Sequence, residues 1–264
     1  MTDPILEVKN LKIYYNTKSN IFSKGASGQN KAVDDVSLKI NKNEIHGLVG
    51  ESGSGKSSLA RAVMGLSPIT EGRILFNGND ISNRKHGKDR VKIQMIFQDP
   101  NSSLNPNMRI KEILEEPIIV NRLMRKDEIM PRLLELMELI DLPVSYLDRY
   151  PHQLSGGQRQ RVGVARAMTT DPELIIADEP TSALDVSIQA QLLNLLYELK
   201  EQKGLSILFI SHNLAVIRYI SDYISVMKKG EIVETGKALE VFNQPEHPYT
   251  KKLISSIPTL KKFS

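Results

Sequence analysis

The sequence predicts an α/β protein whose parallel-sheet core is interrupted by a helical insert. Three observations carry that prediction. The apolar run Ile45–Val49 leads into the glycine-rich stretch Gly50-Glu51-Ser52-Gly53-Ser54-Gly55-Lys56-Ser57 and out into a helix over Ser58–Met64. Strand and helix patterns alternate again from Leu174 to Ile220. Between these stretches, from Ile110 to Leu142, the apolar period becomes helical, with Leu133, Leu136, Met137 and Ile140 on one face. Alternating β and α elements bury their apolar faces best as a parallel sheet with helices packed on it.

Composition sets the outer bounds. A chain of 264 residues fits one large α/β domain or two small ones and can bury a sizeable core. Forty per cent hydrophobic and 25% charged residues are ordinary globular values, which excludes the disordered and fibrous classes. The net charge of +4 is spread along the chain and does not argue for nucleic acid. There is no cysteine, so a disulfide framework, thiol catalysis and a cysteine-held metal or iron–sulfur site are all excluded. Met1–Asn10 carries Asp3, Glu7 and Lys9, unlike a secretory leader, and no apolar run approaches the roughly 18 residues of a membrane span. The expectation is a soluble chain whose membrane role would come through a partner.

In chain order, Ile5–Val8 and Val33–Ile40 read as strands flanking the polar loop Thr17–Lys31, with Tyr14-Tyr15 ending the first strand. Arg73–Phe76 and Asp80-Ile81 flank Asn77-Gly78, a tight-turn pair. Ser82–Asp89 is a charged loop, and Lys92–Phe97 is a buried strand that delivers Gln98 at its end. The prolines and polar residues of Asp99–Asn107 mark a subdomain boundary, and Pro117 and Pro131 are expected to divide the helical region into short helices. Pro143–Pro151 reads as a linker. Strand Leu174–Ala177, helix Val186–Lys203, strand Ser206–Ile210 and helix Leu214–Ile220 follow. Tyr223–Met227 and Glu231–Thr235 then form a hairpin about Lys228-Lys229-Gly230. No internal repeat is present.

Two stretches carry chemistry on residue type alone. Gly50–Ser57 is a full G-x-x-x-x-G-K-[ST] phosphate loop in a strand–loop–helix setting. Its glycines let backbone N–H groups turn inward around phosphates, and the helix start adds its positive dipole end. Lys56 supplies a point charge for the β- and γ-phosphates, and the Ser57 hydroxyl suits Mg²⁺. Downstream, the strand Leu174–Ala177 ends in Asp178-Glu179. Asp178 is placed to hold a Mg²⁺ shell, and Glu179 to orient or deprotonate an attacking water.

Leu154-Ser155-Gly156-Gly157-Gln158, followed by Arg159-Gln160-Arg161, resembles the signature motif of ATP-binding cassette (ABC) ATPases. The order of phosphate loop, Gln98, signature, Asp178-Glu179, Ser182-Ala183-Leu184-Asp185 and His212 is also that family's order. The resemblance runs from Tyr15 to about Gly236, with no substitution at a hallmark position. It implies an ABC-type P-loop NTPase with a RecA-like parallel-sheet core, an N-terminal antiparallel β-subdomain and a helical insert carrying the signature. It implies an ATPase domain over residues 1–245, a helical subdomain over about 100–168, and a tail over 246–264.

The same resemblance implies ATP and Mg²⁺ as ligands and assigns roles residue by residue. Tyr15 would stack on adenine, with Tyr14 as the alternative. Gly50, Glu51, Ser52, Gly53, Ser54, Gly55, Lys56, Ser57 and Ser58 would hold the phosphates. Ser57, Gln98 and Asp178 would form the Mg²⁺ shell. Gln98 would also reach the attacking water and relay nucleotide state into the helical insert. Glu179 and His212 would hold the water in line, His212 by a hydrogen bond to the γ-phosphate. Ser155, Gly156, Gly157, Gln158 and Asp185 would serve the nucleotide of a second subunit, so that two chains close on ATP like a clamp.

A second layer narrows the subfamily. Phe97–Pro106 and Gln244-Pro245-Glu246-His247-Pro248-Tyr249-Thr250 are similar to the corresponding stretches of oligopeptide, dipeptide and nickel importers, most closely to their second ATPase subunit. Some members of that group carry a cysteine-ligated cluster in the tail, which a chain without cysteine cannot. The implied protein is an energy-coupling ATPase on the cytoplasmic face of a membrane. Its implied partners are a second ATPase subunit, paralogous or identical, two permease subunits and, through them, an external solute-binding protein. Lys251-Lys252 and Lys261-Lys262 could touch anionic lipid. The alternative, a soluble ABC ATPase of translation or DNA repair, fits poorly, since those proteins carry two cassettes or long coiled-coil inserts. A non-hydrolysing switch would be expected to lack Glu179 or His212, and both are here.

Overall fold

The computed structural model describes residues 4–16, 29–82, 91–99, 103–182 and 184–256. Most of the loops expected over Thr17–Lys31 and Ser82–Asp89 lies outside the described residues, as do Pro100-Asn101-Ser102, Ala183 and Lys261-Lys262. The chain forms two compact units, Met1–Lys85 with Leu208–Ser264, and His86–Ile207. The first segment carries β1 (Pro4–Asn16), β2 (Gln29–Asn41), β3 (Ile45–Val49), α1 (Lys56–Val63), β4 (Glu71–Phe76) and β5 (Asn79–Asp80). The second carries β6 (Ile93–Ile96), α2 (Ile110–Asn121), α3 (Lys126–Leu139), α4 (Gly156–Met168), β7 (Leu174–Asp178) and α5 (Val186–Lys203). After β8 (Ser206–Ser211), the last segment carries α6 (Leu214–Ile220), β9 (Tyr223–Lys228), β10 (Glu231–Lys237), α7 (Ala238–Asn243) and α8 (Pro248–Ser255).

In the first unit, β2-β1-β4-β5 form an antiparallel sheet. Val36, Leu38 and Ile40 of β2 are buried while Asp35, Ser37 and Lys39 are exposed, the alternation of a strand with one face on a core. Leu6 pairs with Ile40, and Val8 with Leu38, so the apolar faces coincide. Both strands run further than the short apolar runs indicate. The extension carries a bulge closed by side chains: Asn10 and Asp35 both take positive φ, and the Asn10 amide donates to the Asp35 carboxylate at 3.0 Å. Asn77 and Gly78, both with positive φ, turn β4 into β5 as the tight-turn pair requires. The five residues of β3 are all buried, and β3 runs parallel to β9, with His46 opposite Tyr223 and Val49 opposite Val226. Lys229 and Gly230, again at positive φ, turn β9 back into β10.

In the second unit β6 and β7 are parallel, from Ile93 opposite Leu174 to Ile96 opposite Ala177. Leu133, Leu136, Met137 and Ile140 are all fully buried, as their helical spacing predicts. The prolines do not break the helices there. Pro117 lies inside α2 and Pro131 inside α3. Each removes one backbone donor, a loss that packing of the apolar face outweighs. The break comes between them, where Arg122 adopts a left-handed conformation and its N–H bonds back to Ile118 and Ile119. Arg125 then opens α3, with its N–H held by the Glu128 carboxylate at 2.8 Å. Pro143–Pro151 is packed rather than loose: it holds the 3₁₀ turn Val144–Asp148, runs into a second at Pro151–Gln153, and its Arg149 carbonyl accepts the Ile110 N–H at 2.9 Å. Two arginines exchange caps. Arg132 of α3 donates to the Met168 carbonyl ending α4 at 2.8 Å, and Arg161 of α4 donates to the Ile140 carbonyl ending α3 at 2.9 Å. Each cation satisfies a helix end that has no intrahelical partner.

Candidate nucleotide site

The expected site residues fall in both units. In the first, β3 delivers the glycine-rich loop and α1 takes the chain away. Gly55 sits at φ 107°, and a Cβ there would meet the Ala32 carbonyl oxygen at 2.1 Å, so only glycine fits. Gly55 is also the residue that opens α1, and no side chain caps that helix start. The turn between β9 and β10 braces the loop from outside, the Gly230 N–H donating to the Ser54 carbonyl at 2.9 Å. Lys56 is buried, and its ammonium donates to Gly50 O at 2.8 Å, Glu51 O at 2.9 Å and Ser54 Oγ at 3.3 Å. Phosphate oxygens are charged acceptors and bind an ammonium more strongly than these neutral ones. The loop therefore fits a nucleotide polyphosphate. Ser57 is half-buried in the first turn of α1, Ser52 and Gly53 are exposed, and Ser58 is half-buried.

Two further expected residues lie in this unit. His212 is exposed just beyond β8, between buried Ser211 and Asn213. The Asn213 carboxamide caps α6, accepting from Ala215 N at 3.0 Å and Val216 N at 3.4 Å, so His212 is held where the strand ends and the helix begins. Tyr15 is half-buried, its hydroxyl 3.4 Å from Ser67 Oγ. Tyr14 is occupied twice: its hydroxyl bonds the Asp34 carboxylate, and the Lys31 ammonium lies 5.2 Å over its ring. The Tyr14 hydroxyl is pushed above the ordinary phenol value, chiefly by that bond to Asp34.

In the second unit the parallel register of β6 and β7 brings their carboxyl ends side by side, the edge where open α/β sheets hold ligands. Gln98 emerges from one strand and Asp178-Glu179 from the other. Asp178 is buried at 7% exposure. Glu179 takes φ 47°, a left-handed conformation that costs a non-glycine residue about 1–2 kcal/mol. Ser182 secures it, its N–H and hydroxyl both reaching the Glu179 carbonyl, at 3.2 and 3.1 Å. The Gln98 amide donates to the Glu179 carboxylate at 3.2 Å.

The glycine pair of the signature stretch opens α4. Ser155 caps the helix, accepting from Gln158 N at 3.3 Å, while the Gln158 side chain accepts from Ser155 N at 2.9 Å. Gly156 and Gly157 form the first turn. A Cβ on Gly157 would lie 2.5 Å from Ile188 Cγ2, so glycine there is also a packing requirement. Asp185 is exposed at the start of α5 and makes no side-chain cap.

Two arrangements were not legible as sites. Glu44, His46 and Ser225 form a chain in the first unit: His46 Nδ1 lies 2.9 Å from Glu44 Oε1, and Nε2 lies 3.0 Å from Ser225 Oγ, which meets Thr235 Oγ1 at 2.6 Å. The residue types are those of a nucleophilic triad, but Ser225 is wholly buried, so no substrate reaches it. The chain satisfies polar groups between β3, β9 and β10. The second is Tyr249 in α8, whose hydroxyl accepts the Glu51 N–H at 3.2 Å. The tail motif marks the residue, but only the fold shows that it meets the phosphate loop.

Comparison with known proteins finds relatives over nearly the whole chain. A family model described as ABC transporter matches residues 33–182, and one described as oligopeptide/dipeptide transporter, C-terminal region, matches residues 233–263. The oligopeptide transport ATP-binding protein OppF of Bacillus subtilis (strain 168) is 50% identical over 98% of this chain and 84% of its own. The dipeptide transport ATP-binding protein DppF of Lactococcus lactis subsp. cremoris (strain MG1363) is 49% identical over 98% of this chain and 83% of its own. Among solved structures, an ATP-binding cassette dimer in a post-hydrolysis state with ADP and phosphate superposes with TM-score 0.75 at 31% identity, covering 88% of this chain and 98% of that one. CbiO1 of Clostridium perfringens gives 0.78 at 29% identity, covering 97% and 96%. With a family model over more than half its length and near full-length relatives at half identity, the chain belongs to the ABC transporter family, as one of its ATP-hydrolysing cassettes.

Proposed function

We propose that this cassette powers the import of peptides, as the ATPase subunit of a complex with two membrane permeases and an external solute-binding protein. The observation that carries the reading is the tail, where residues 233–263 match the C-terminal region of oligopeptide and dipeptide transporters. The relatives' names support peptides over nickel or metal chelates. The cassette sits peripherally on the cytoplasmic face. Among the described residues no helix is long and apolar enough to cross a membrane, which fits a chain that reaches solute only through partners.

Tyr15 takes adenine, since Lys31 already covers the Tyr14 ring. The loop from Gly50 to Ser58 wraps the phosphates, with Lys56 on the β- and γ-phosphates. Ser57, Gln98 and Asp178 offer only oxygen donors, the set that suits a small hard cation such as Mg²⁺. When bound, that ion neutralises charge on the β- and γ-oxygens. Glu179, oriented by Gln98, accepts a proton from water as the water oxygen attacks the γ-phosphorus. The bond to the β,γ-bridging oxygen breaks, and ADP leaves with the electron pair. His212 bonds the γ-phosphate and keeps the water in line. Ser155, Gly156, Gly157, Gln158 and Asp185 face the nucleotide of a second cassette, a paralogue in a heterodimer, so that ATP closes the pair and hydrolysis reopens it. The ATPase domain occupies residues 1–245, with a helical subdomain over about 100–168 that carries the signature and acts on the permeases, and the tail follows.

The test is uptake of labelled di- and oligopeptides by cells carrying the native chain or Lys56→Ala, with co-purification of its partners from solubilised membranes. Peptide uptake lost in the variant, with two permeases and a second cassette co-eluting, supports the reading. Uptake of nickel instead of peptide would replace the solute. Recovery with ribosomes or repair proteins would overturn the transporter.

A further inference from the structure

We propose that Tyr249 is a positioning residue for nucleotide binding, acting on Lys56 through the single peptide plane between Gly50 and Glu51. The N–H of that plane donates to the Tyr249 hydroxyl at 3.2 Å, and its carbonyl accepts the Lys56 ammonium at 2.8 Å. In a trans peptide the N–H and C=O point to opposite sides of the chain, and rotation of the plane moves both together. A plane released by Tyr249 therefore swings its carbonyl away from Lys56. The tyrosine holds one side of the loop so that the lysine is presented on the other.

The tyrosine is itself held. It is 8% exposed, and the Lys228 ammonium lies 4.9 Å over its ring. The start of α8 is clamped from β10, where the two carboxylate oxygens of Glu234 accept the N–H groups of Glu246 at 2.8 Å and His247 at 3.0 Å. His247 then caps the helix, its Nδ1 accepting from Tyr249 N at 3.1 Å. Pro248 adds a pre-set φ at the first helical position, where its missing N–H costs nothing. Burial pushes the Tyr249 hydroxyl above the ordinary phenol value. The sequence from Glu234 to Tyr249 thus carries the position of the C-terminal region into the nucleotide loop.

This rests on Lys56 being the phosphate-binding cation, and the test keeps the two ideas apart. Binding of a fluorescent ADP analogue is titrated to millimolar concentrations on the full-length chain for the native protein, Tyr249→Phe, Lys56→Ala and the double variant. Loss of one hydrogen bond corresponds to roughly a threefold to tenfold weakening, which is the expectation for Tyr249→Phe. In the Lys56→Ala background the Phe change should cost nothing further. Equal losses in both backgrounds, or no loss with Lys56 present, overturn the proposal while leaving the role of Lys56 intact. Native affinity in Lys56→Ala alone would instead overturn the role of Lys56. Glu234→Gln, which loosens the clamp but keeps the hydroxyl, should weaken binding in the same direction by less. A change confined to melting temperature, with affinity unmoved in both variants, would make the contact merely structural.

Discussion

The two glycine-bearing helix starts, Gly55 at α1 and Ser155–Gly157 at α4, solve the same electrostatic problem in opposite ways. Every helix start presents N–H groups without intrahelical partners and a partial positive charge. At α1 the opening residue is a left-handed glycine, no side chain caps the turn, and the adjoining lysine rests on loop oxygens. At α4 Ser155 and Gln158 form a complete capping box, so the start is satisfied by its own side chains. The first start is prepared for an anion by itself. The second is folded and stable without one, and a phosphate that uses Ser155 must replace a bond already made. On the proposed function, that difference would be the physical reason for the first to bind nucleotide within its own chain and for the second to act when another cassette presents ATP.

The comparison is sharpened most by freezing both starts in their occupied state. On the proposed mechanism, Glu179→Gln removes the proton acceptor but not the phosphate contacts. Turnover should fall about 10²- to 10⁴-fold, with ATP still bound and co-purifying, measured by steady-state phosphate release against bound nucleotide. Retained turnover would remove Glu179 from the chemistry. Lys56→Ala strikes the α1 start alone and should weaken nucleotide binding about tenfold to a hundredfold, the scale of hydrogen bonds to a charged group. Unchanged affinity would mean that α1 is no better prepared than α4.

Smaller effects probe the self-capped start. Gly157→Ala drives a methyl into Ile188 and should cost about 1–3 kcal/mol in urea unfolding. Ser155→Ala should cost about 1 kcal/mol by loss of the cap, whereas Ser155→Asp, an equally good cap, keeps the stability. If Ser155 also meets phosphate, the aspartate variant is stable yet inactive. Full activity in that variant would reduce Ser155 to a cap alone. The smallest effect concerns a third start, α8, whose leading residues Glu246 and His247 are clamped by Glu234. Desolvation raises that carboxyl's pKa, but the N–H groups of Glu246 and His247 outweigh it and leave the pKa lowered. A lowered pKa means that the stabilisation is present above the unfolded value, about 4.5, and is lost as pH falls below it toward the folded value. The stability gap between the native chain and Glu234→Gln should therefore be wider at pH 7 than at pH 4, and a gap independent of pH would remove the clamp.

Local signals carried the sequence reading well where one residue type determines one backbone state. The phosphate loop, the Asn77-Gly78 turn, the Lys229-Gly230 turn and helices α5 and α6 stand where periodicity and turn chemistry put them. They failed where a neighbour overrides propensity. Pro117 and Pro131 were expected to end helices, yet packing carries α2 and α3 through them, and the break is made by Arg122. Strand β1 ends at Asn16, next to the Tyr14-Tyr15 pair that marks its end in the sequence, but its middle, Lys9–Ile13, does not read as strand there and is held by pairing with β2.

What the sequence by itself determined is the chemical inventory: which side chains are of a type to meet phosphate, accept a proton or cap a helix, since that follows from residue type and spacing along one loop. What only the tertiary structure decided is which of these groups meet. That Gln98 reaches Glu179 depends on β6 and β7 being neighbours in register. That Tyr249 reaches Glu51 depends on a fold that brings positions 198 residues apart within 3.2 Å. A hydrogen bond is set by distance and angle to within a few tenths of an ångström, and sequence separation carries no information at that scale.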